Sequence, residues 1–295
     1  MIYDIISLFG GIGLFIDTHS KDTMEKSIIE YLTITKDELY NAIEKASISA
    51  CNDKWFNGDI FDNLINDFIT QHISDKQIDK ILFFHLGRRL NSAAHIVCGN
   101  TLFDLLTTKN EFSNFLAQHK VYFENNNGHL DLYYNDNKKS LDNTYEAHIP
   151  YLRSRLGYNS GREDYCFNGF AFKDLLYKNS YARKLEDVPE FIGVLATFLK
   201  DRTIGSDYYE QSTYYCYEYL IPIEIALFDD NEKMSLSDKK IYIVNQVIHR
   251  LHDYYYSNSK YMYDDDNPIL RLGDFCTMDA KYYVAKEIIT TEMLR

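Results

Sequence analysis

The chain has 295 residues, of which 45% are hydrophobic and 25% are charged, so it can bury a large core as one large domain or two ordinary ones. Its formal net charge of -13 argues against a broad surface that follows nucleic-acid phosphates, because such surfaces are usually basic. The five cysteines form no Cys-x-x-Cys pair, and their spacing fits neither a zinc site nor a disulfide scaffold. Reduced thiols in a cytoplasmic protein are therefore expected.

Targeting and membrane segments are not predicted. The apolar stretch near the start of the sequence is interrupted by Asp4 and Asp17, and no basic region precedes it, unlike a signal peptide. Every apolar run is shorter than the roughly 20 residues that a membrane-spanning helix needs. We therefore expect a cytoplasmic protein with no membrane partner.

The first part of the chain has helical patterns up to about residue 80. Thr35 and Glu38 form a capping-box pattern before one helix. A later segment has apolar residues at helical spacing, namely Ile60, Phe61, Leu64, Ile65, Phe68 and Ile69. These patterns predict a helical N-terminal segment at 1–80, followed by an α+β candidate catalytic domain at 81–295. A single domain is the alternative, because no linker marks the boundary.

The middle of the chain alternates between short helices and short strands. The apolar run at 81–86 predicts either a buried strand or the end of a helix, and 101–106 and 111–116 predict short helices. Two β-rich runs, 121–123 and 130–134, flank Asn-Asn-Asn-Gly and predict a β-hairpin. A short apolar strand with Gly169 inside it is predicted at 166–172.

The strongest strand pattern covers 214–228. Its odd positions from 217 to 225 are apolar, whereas Glu218 and Glu224 occupy even positions, which places both carboxylates on the face opposite the core. Pro222 lacks an amide donor, so we expect this strand to be an edge strand or to be irregular there. Ser235 is predicted to cap a final long helix, and the segment near 280–289 is compatible with helix or strand.

Common catalytic motifs are not found in the sequence. It contains no phosphate-binding loop, no His-Glu-x-x-His and no Gly-x-Ser-x-Gly pattern. The Gly-rich segment at 9–14 does not complete a dinucleotide-binding fingerprint, so a turn is predicted there. His249 and His252 lie three residues apart on a predicted helix, but no carboxylate pattern accompanies them, and no metal is predicted.

Three separated segments carry the more specific signal. The first is Phe-His-Leu-Gly-Arg-Arg at 84–89, in which a histidine ends an apolar strand. The second is Asn-Gly-Phe-Ala-Phe at 168–172, followed by Lys-Asn-Ser-Tyr-Ala at 178–182. The third is Tyr-Glu-Tyr-Leu-Ile-Pro at 217–222, with the carboxylate on the face away from the core.

In this order, the three segments resemble the motifs of the His-Tyr-Glu class of ADP-ribosyltransferases, which includes the catalytic domain of poly(ADP-ribose) polymerases. The resemblance covers roughly residues 81–228. It implies a split, mostly antiparallel sheet and an enzyme that cleaves NAD+ and transfers ADP-ribose to a macromolecule. Leu86 separates His85 from Gly87, and the distance along the chain to Tyr181 requires an insertion of about one hairpin and a loop.

The resemblance also implies roles for individual residues. NAD+ would be the substrate, with its nicotinamide stacked on Tyr181 and a ribose hydroxyl bonded to His85. Glu218 would bind the other ribose hydroxyl and stabilise the positive charge that develops on the ribosyl carbon. The further residues expected to contact NAD+ are Gly87, Arg88, Arg89, Gly169 and Phe170.

Simpler interpretations of these residues stay open. His85 can be a hydrogen-bonded histidine at a strand end, and Glu218 can be the outward residue of an amphipathic strand. The chain can also be a non-catalytic interaction module, in which a surface rich in its 26 tyrosines binds a partner. If the chain is an enzyme, a toxin or phage-defence role would suit it. NAD+ hydrolysis without an acceptor is an alternative reaction. If there is an acceptor, the acidic charge of the chain favours a protein over nucleic acid.

Overall fold

The structure is a computed structural model that describes residues 14–51, 55–73, 77–146, 148–159, 164–229, 231–257, 260–263 and 266–295. The turn predicted in the Gly-rich segment lies almost entirely outside these ranges. The chain divides into two compact units. The first unit comprises 1–83, 170–176 and 220–270, and the second comprises 84–169, 177–219 and 271–295. The predicted helical segment at 1–80 thus belongs to a unit that also takes in later parts of the chain.

Four helices form most of the first unit, and they confirm the helical patterns of the sequence. They are α1 (Lys21–Leu32), α2 (Lys36–Ala50), α3 (Gly58–His72) and, much later in the chain, α10 (Leu236–Tyr256). Capping boxes begin three of them, at Ser20, Thr35 and Ser235, where each side chain accepts a hydrogen bond from a backbone amide of the first turn. Their buried faces are apolar and pack against one another.

A six-stranded, mostly antiparallel sheet contains the segments that resemble the transferase motifs. The strands are β1 (Lys80–Leu90), β5 (Asn168–Phe170), β6 (Ser212–Pro222), β7 (Leu227–Phe228), β8 (Ile269–Arg271) and β9 (Tyr283–Ile288). Their order across the sheet is β7–β8–β5–β1–β6–β9. The first and second motif segments therefore lie on neighbouring strands, and the third lies on the other side of β1.

A smaller sheet and several helices lie entirely within the second unit. The predicted hairpin is confirmed as β2 (Val121–Asn126) and β3 (His129–Tyr134), and β4 (Asn137–Lys138) extends it. The helices of this unit are α4 (Leu102–Thr107), α5 (Glu111–Gln118), α6 (Ile149–Arg155), α7 (Ser180–Lys184), α8 (Glu190–Leu199), α9 (Arg202–Glu210) and α11 (Thr291–Leu294). The hairpin and most of these helices share one apolar core.

The third motif strand was predicted to be an edge strand or to be irregular at Pro222, and the structure shows an inner strand that stops there. β6 is an inner strand between β1 and β9, and it ends at Pro222 rather than at residue 228. The missing amide of Pro222 is tolerated because the pairing of β6 with β9 already stops at Tyr219. Glu218 is only 4% exposed, so it is not an outward residue of an amphipathic strand. The segment near 280–289 is resolved as β9.

Candidate functional site

The imidazole of His85 is held in one orientation inside the second unit. Its Nδ1 lies 2.7 Å from the backbone carbonyl oxygen of Asn168 on the neighbouring strand β5. A carbonyl can only accept, so Nδ1 carries the proton and Nε2 has a free lone pair. Burial lowers the pKa of His85 to about 4; the Asn168 carbonyl opposes this shift, and the Arg89 cation adds to it. His85 is therefore a neutral hydrogen-bond acceptor at physiological pH.

Neighbouring residues fix the plane of this imidazole and leave room beside its Nε2. The ring stacks on Phe167 with 4.1 Å between the ring centroids. Gly87 lies two residues further along β1, on the same face as His85. A Cβ atom added to Gly87 would lie 3.0 Å from Nε2, so a larger residue would crowd the imidazole. Gly87 thus contributes to the site by making space for His85.

Arg89 and Tyr217 extend the same face of the sheet. The guanidinium of Arg89 lies 4.3 Å from the centroid of the Tyr217 ring, and its Nη1 donates to the carbonyl oxygens of Ile96 and Cys98. Tyr217 is fully buried, and its hydroxyl has no hydrogen-bond partner within the described ranges. His85 is 6.5 Å from Tyr217 between ring centroids. A buried donor, a neutral acceptor and a cation therefore occur together on one face.

Glu218 projects from the opposite face of the sheet. Side chains alternate along a strand, and the rings of Tyr217 and Tyr219 stack 6.4 Å apart, which places Glu218 on the other side. The pairing of β6 with β9 shifts its register between Glu218 and Tyr219. The extra residue lies in β9, so side chains still alternate between the two faces along β6. Burial raises the pKa of Tyr283, and the Glu218 carboxylate adds to this shift. His85 and Glu218 therefore lie on opposite faces of the sheet, which does not fit the implied binding of one ribose by both residues.

Tyr181 also lies on a different face of the sheet from His85. It lies in α7 and is 39% exposed. The hydroxyl of Tyr214 donates to the carbonyl oxygen of Ala182 over 2.8 Å. Tyr214 lies four residues before Glu218 on β6, so the two side chains project from the same face of the strand. Burial raises the pKa of Tyr181, and the Glu190 carboxylate adds to this shift. The helix that carries Tyr181 is therefore held on the side of Glu218.

Arg88 has a structural role instead of the predicted contact with a diphosphate. Its Nε donates to the hydroxyl of Ser212 over 3.0 Å, and its Nη2 donates to the Ser212 carbonyl oxygen over 2.8 Å. The carbonyl oxygens of Glu186 and Tyr209 accept two more hydrogen bonds. Four of the five guanidinium N–H donors are thus directed at the protein, which corrects the assignment of Arg88 and leaves Arg89 as the candidate cation.

The remaining predicted contacts lie on β5. Gly169 is buried, and its strand pairs with β1 next to His85. Phe170 is 6% exposed and belongs to the apolar core. Sequence patterns alone did not identify Phe167, the Asn168 carbonyl or Tyr217. Asn168 and Tyr217 begin two of the motif segments, and Phe167 directly precedes one of them, which is the only signal in the sequence.

The two histidines considered for a metal have separate partners in the first unit. His249 Nε2 is hydrogen-bonded to a carboxylate oxygen of Asp62, whereas His252 Nε2 lies 3.1 Å from the hydroxyl of Ser47. The ring of Phe61 is 4.7 Å from each imidazole centroid. Across the described ranges, no group of three or more His, Cys, Asp or Glu residues has the arrangement of a metal site. These histidines serve the packing of α3 against α10.

Comparisons with known proteins do not identify a family. No protein-family model, curated protein or solved structure matches the chain. Among the described residues, no helix has the length and apolar character needed to cross a membrane.

Proposed function

We propose that the chain binds NAD+ through His85 and is an ADP-ribosyltransferase, with a fold of the ADP-ribosyltransferase type. The observation that carries the proposal is the His85 imidazole, which is neutral, oriented by the Asn168 carbonyl and stacked on Phe167. A ribose hydroxyl is a suitable donor for its Nε2. The adjacent strands β1 and β5 also supply Gly87 and Gly169, where backbone can approach a ligand closely.

The charge of the second unit supports the binding of a dinucleotide. By sequence, this unit contains 20 acidic and 18 basic residues, so it is close to neutral although the whole chain is acidic. Arg89 lies on the same face as His85 and is the cation proposed to attract the diphosphate. A nearly neutral unit imposes little electrostatic penalty on an anionic ligand.

In the proposed reaction, the bond between the ribosyl carbon and the nicotinamide nitrogen breaks, and nicotinamide leaves with the bonding electrons. A nucleophile of the acceptor then forms a bond to the ribosyl carbon and loses its proton to solvent. His85 would hold the ribose so that this carbon is presented to the acceptor. Because Glu218 lies on the opposite face, it is not proposed as the catalytic carboxylate, and Tyr181 is not proposed to stack on nicotinamide.

The acceptor in this proposal is a macromolecule, with protein favoured over nucleic acid because the chain carries a net charge of -13. We further propose that the protein is located in the cytoplasm, where NAD+ is available. The free cysteines Cys51 and Cys276 are exposed, which suits a reducing compartment. A toxin or phage-defence role agrees with this location.

The test compares NAD+ binding and nicotinamide release for wild type, His85→Ala, Glu218→Gln and the exposed-residue control His95→Ala. We expect His85→Ala to weaken NAD+ binding at least about tenfold, which corresponds to loss of about 1.4 kcal/mol. Glu218→Gln and His95→Ala should keep the wild-type affinity in calorimetry. The proposal fails if wild type does not bind NAD+, or if His85→Ala binds it as tightly as wild type. Binding without nicotinamide release would refute the transferase activity alone.

A second candidate function is a non-catalytic interaction module. The observation in its favour is a group of half-exposed aromatic side chains in the first unit, including Phe56, Tyr255 and Tyr256. A purified protein that neither binds NAD+ nor releases nicotinamide, yet folds cooperatively, would favour this function over the enzyme.

A further inference from the structure

Aromatic rings form a continuous chain on the surface of the first unit. Successive ring centroids are 5.5 Å apart for Tyr40 and Tyr255, 4.9 Å for Tyr255 and Tyr256, 4.8 Å for Tyr256 and His252, and 5.5 Å for His252 and Phe56. We call this chain of five rings the ring surface. It joins α2, the residues before α3, and the C-terminal end of α10.

The ring surface is substantially open to solvent. Phe56, Tyr255 and Tyr256 are 45%, 47% and 52% exposed, and Trp55, which directly precedes Phe56, is 75% exposed. Single exposed apolar residues are ordinary, but contiguous exposed rings mark surfaces that bind a partner. Aromatic side chains suit this role because they bury a large area with few rotatable bonds.

The net charge of the chain is concentrated in the same unit. By sequence, the first unit contains 24 acidic and 13 basic residues, whereas the second contains 20 and 18. The ring surface therefore lies on the strongly acidic unit, where the electrostatic potential attracts cations and repels phosphates and anionic lipids. A partner that matches both properties carries positive charge and apolar groups.

The first unit already uses this combination within the chain. Lys36 Nζ lies 5.7 Å from the centroid of the Tyr40 ring and 2.7 Å from a carboxylate oxygen of Glu25. The Tyr40 hydroxyl donates to the other oxygen of that carboxylate. One cation is thus held by a ring of the ring surface and by a carboxylate, which is the chemistry that a basic side chain of a partner would use.

We propose that the ring surface docks a basic, amphipathic segment of another protein, whose Lys and Arg side chains lie over Phe56, Tyr255 and Tyr256. The apolar residues of that segment would cover the rings and Trp55. This inference does not depend on NAD+ binding, because every residue that carries it belongs to the first unit.

The single tryptophan of the chain provides a selective probe, because Trp55 directly precedes Phe56 of the ring surface. Excitation at a wavelength that tyrosine does not absorb would report on Trp55 alone. The probes are a synthetic Lys/Leu helical peptide, the same peptide with Glu in place of Lys, a single-stranded DNA of equal length, and vesicles containing anionic lipid. We expect only the Lys/Leu peptide to shift the emission to shorter wavelength, with saturation.

Variants then locate the binding site, with peptide affinity measured by fluorescence anisotropy of a labelled peptide. Tyr255→Ala/Tyr256→Ala is expected to weaken binding at least about fivefold, through lost cation–π and apolar contacts. Trp55→Ala, a single change at a more exposed side chain, should also weaken binding. It keeps the test usable if the double variant misfolds. The control Tyr145→Ala changes a residue that is 97% exposed in the second unit, and it should leave the affinity unchanged.

Several results would overturn the proposal. These are the absence of an emission shift with the Lys/Leu peptide, equal affinity for the Glu peptide, or unchanged affinity in both Tyr255→Ala/Tyr256→Ala and Trp55→Ala. A preference for DNA or for anionic vesicles would assign the surface to another class of partner and would also overturn it.

Discussion

At the scale of single residues, the contacts of His85 distinguish its chemistry from that of the other histidines considered. His249 and His252 bond to Asp62 and Ser47 and pack around Phe61, so their nitrogen atoms serve helix packing. His85 instead donates to a backbone carbonyl and keeps Nε2 as an acceptor beside Gly87. The difference comes from burial next to Arg89, which disfavours the protonated ring.

The protonation of His85 can be followed directly. Its folded-state pKa of about 4 lies below the ordinary value near 6.5, so the unfolded state binds the extra proton between these pH values. The stabilisation is fully present above pH 6.5, and about 3 kcal/mol of it is lost as the pH falls to 4. NMR titration should show an imidazole resonance that moves only near pH 4.

The variant His85→Gln provides the control for this titration. It should remove the resonance, which assigns it, and it should make the unfolding free energy less dependent on pH between 4 and 6.5. A resonance of His85 that titrates near 6.5 would contradict the half-buried, neutral imidazole.

At the scale of elements, the tight approach of one helix end to the hairpin depends on a glycine. Gly157 follows α6 and has a φ of +77°, and an added Cβ atom would lie 2.8 Å from the carbonyl oxygen of Gly128 and against the Tyr165 hydroxyl. The Leu130 amide bonds to the Leu156 carbonyl oxygen, which ties β3 to the same place. Only glycine combines this backbone conformation with such close packing.

Two glycine substitutions should therefore have opposite effects on stability. Gly157→Ala is expected to lower the free energy of unfolding by about 1–3 kcal/mol through the strained φ and the clash. Gly205→Ala, in α9 with open space around its Cα, should raise it by about 0.5–1 kcal/mol because alanine favours helix. Urea unfolding measures both. Equal effects of the two substitutions would contradict the close approach at Gly157.

At the scale of the whole molecule, charge and thiols are unevenly distributed. The first unit carries most of the excess acidic residues, and the second is nearly neutral, so each unit suits a different kind of ligand. All five cysteines are thiols rather than disulfides: Cys51 and Cys276 are exposed, Cys98 is partly buried, and Cys166 and Cys216 are buried. Burial raises the pKa of the Cys166 thiol, which makes it less reactive.

Reaction with a disulfide reagent should follow this distribution. In the folded protein, Cys51 and Cys276 should react first and Cys98 more slowly, whereas Cys166 and Cys216 should react only after unfolding. Cys51→Ser and Cys276→Ser assign the fast phases by removing one each. Fewer than five reactive thiols in the unfolded, unreduced protein would reveal a disulfide and contradict the proposed cytoplasmic location.

Local elements follow from signals that lie close together in the sequence. Helix caps at Thr35 and Ser235 and the hairpin around residues 125–128 were predictable because their signals involve residues a few positions apart. The neighbouring placement of β1 and β5 was only implied by the order of the motifs. The long-range hydrogen bonds that pair strands leave no short-range pattern in the chain.

The arrangement of the candidate site depends on contacts between distant parts of the chain. Glu218 has the pattern of an outward carboxylate, yet it is buried in the folded protein. Arg88 and Arg89 are adjacent and chemically identical, but strand alternation directs one to Ser212 and the other to Tyr217. Which face of a strand meets which neighbours depends on the strand order, and that order is set by the packing of the whole sheet.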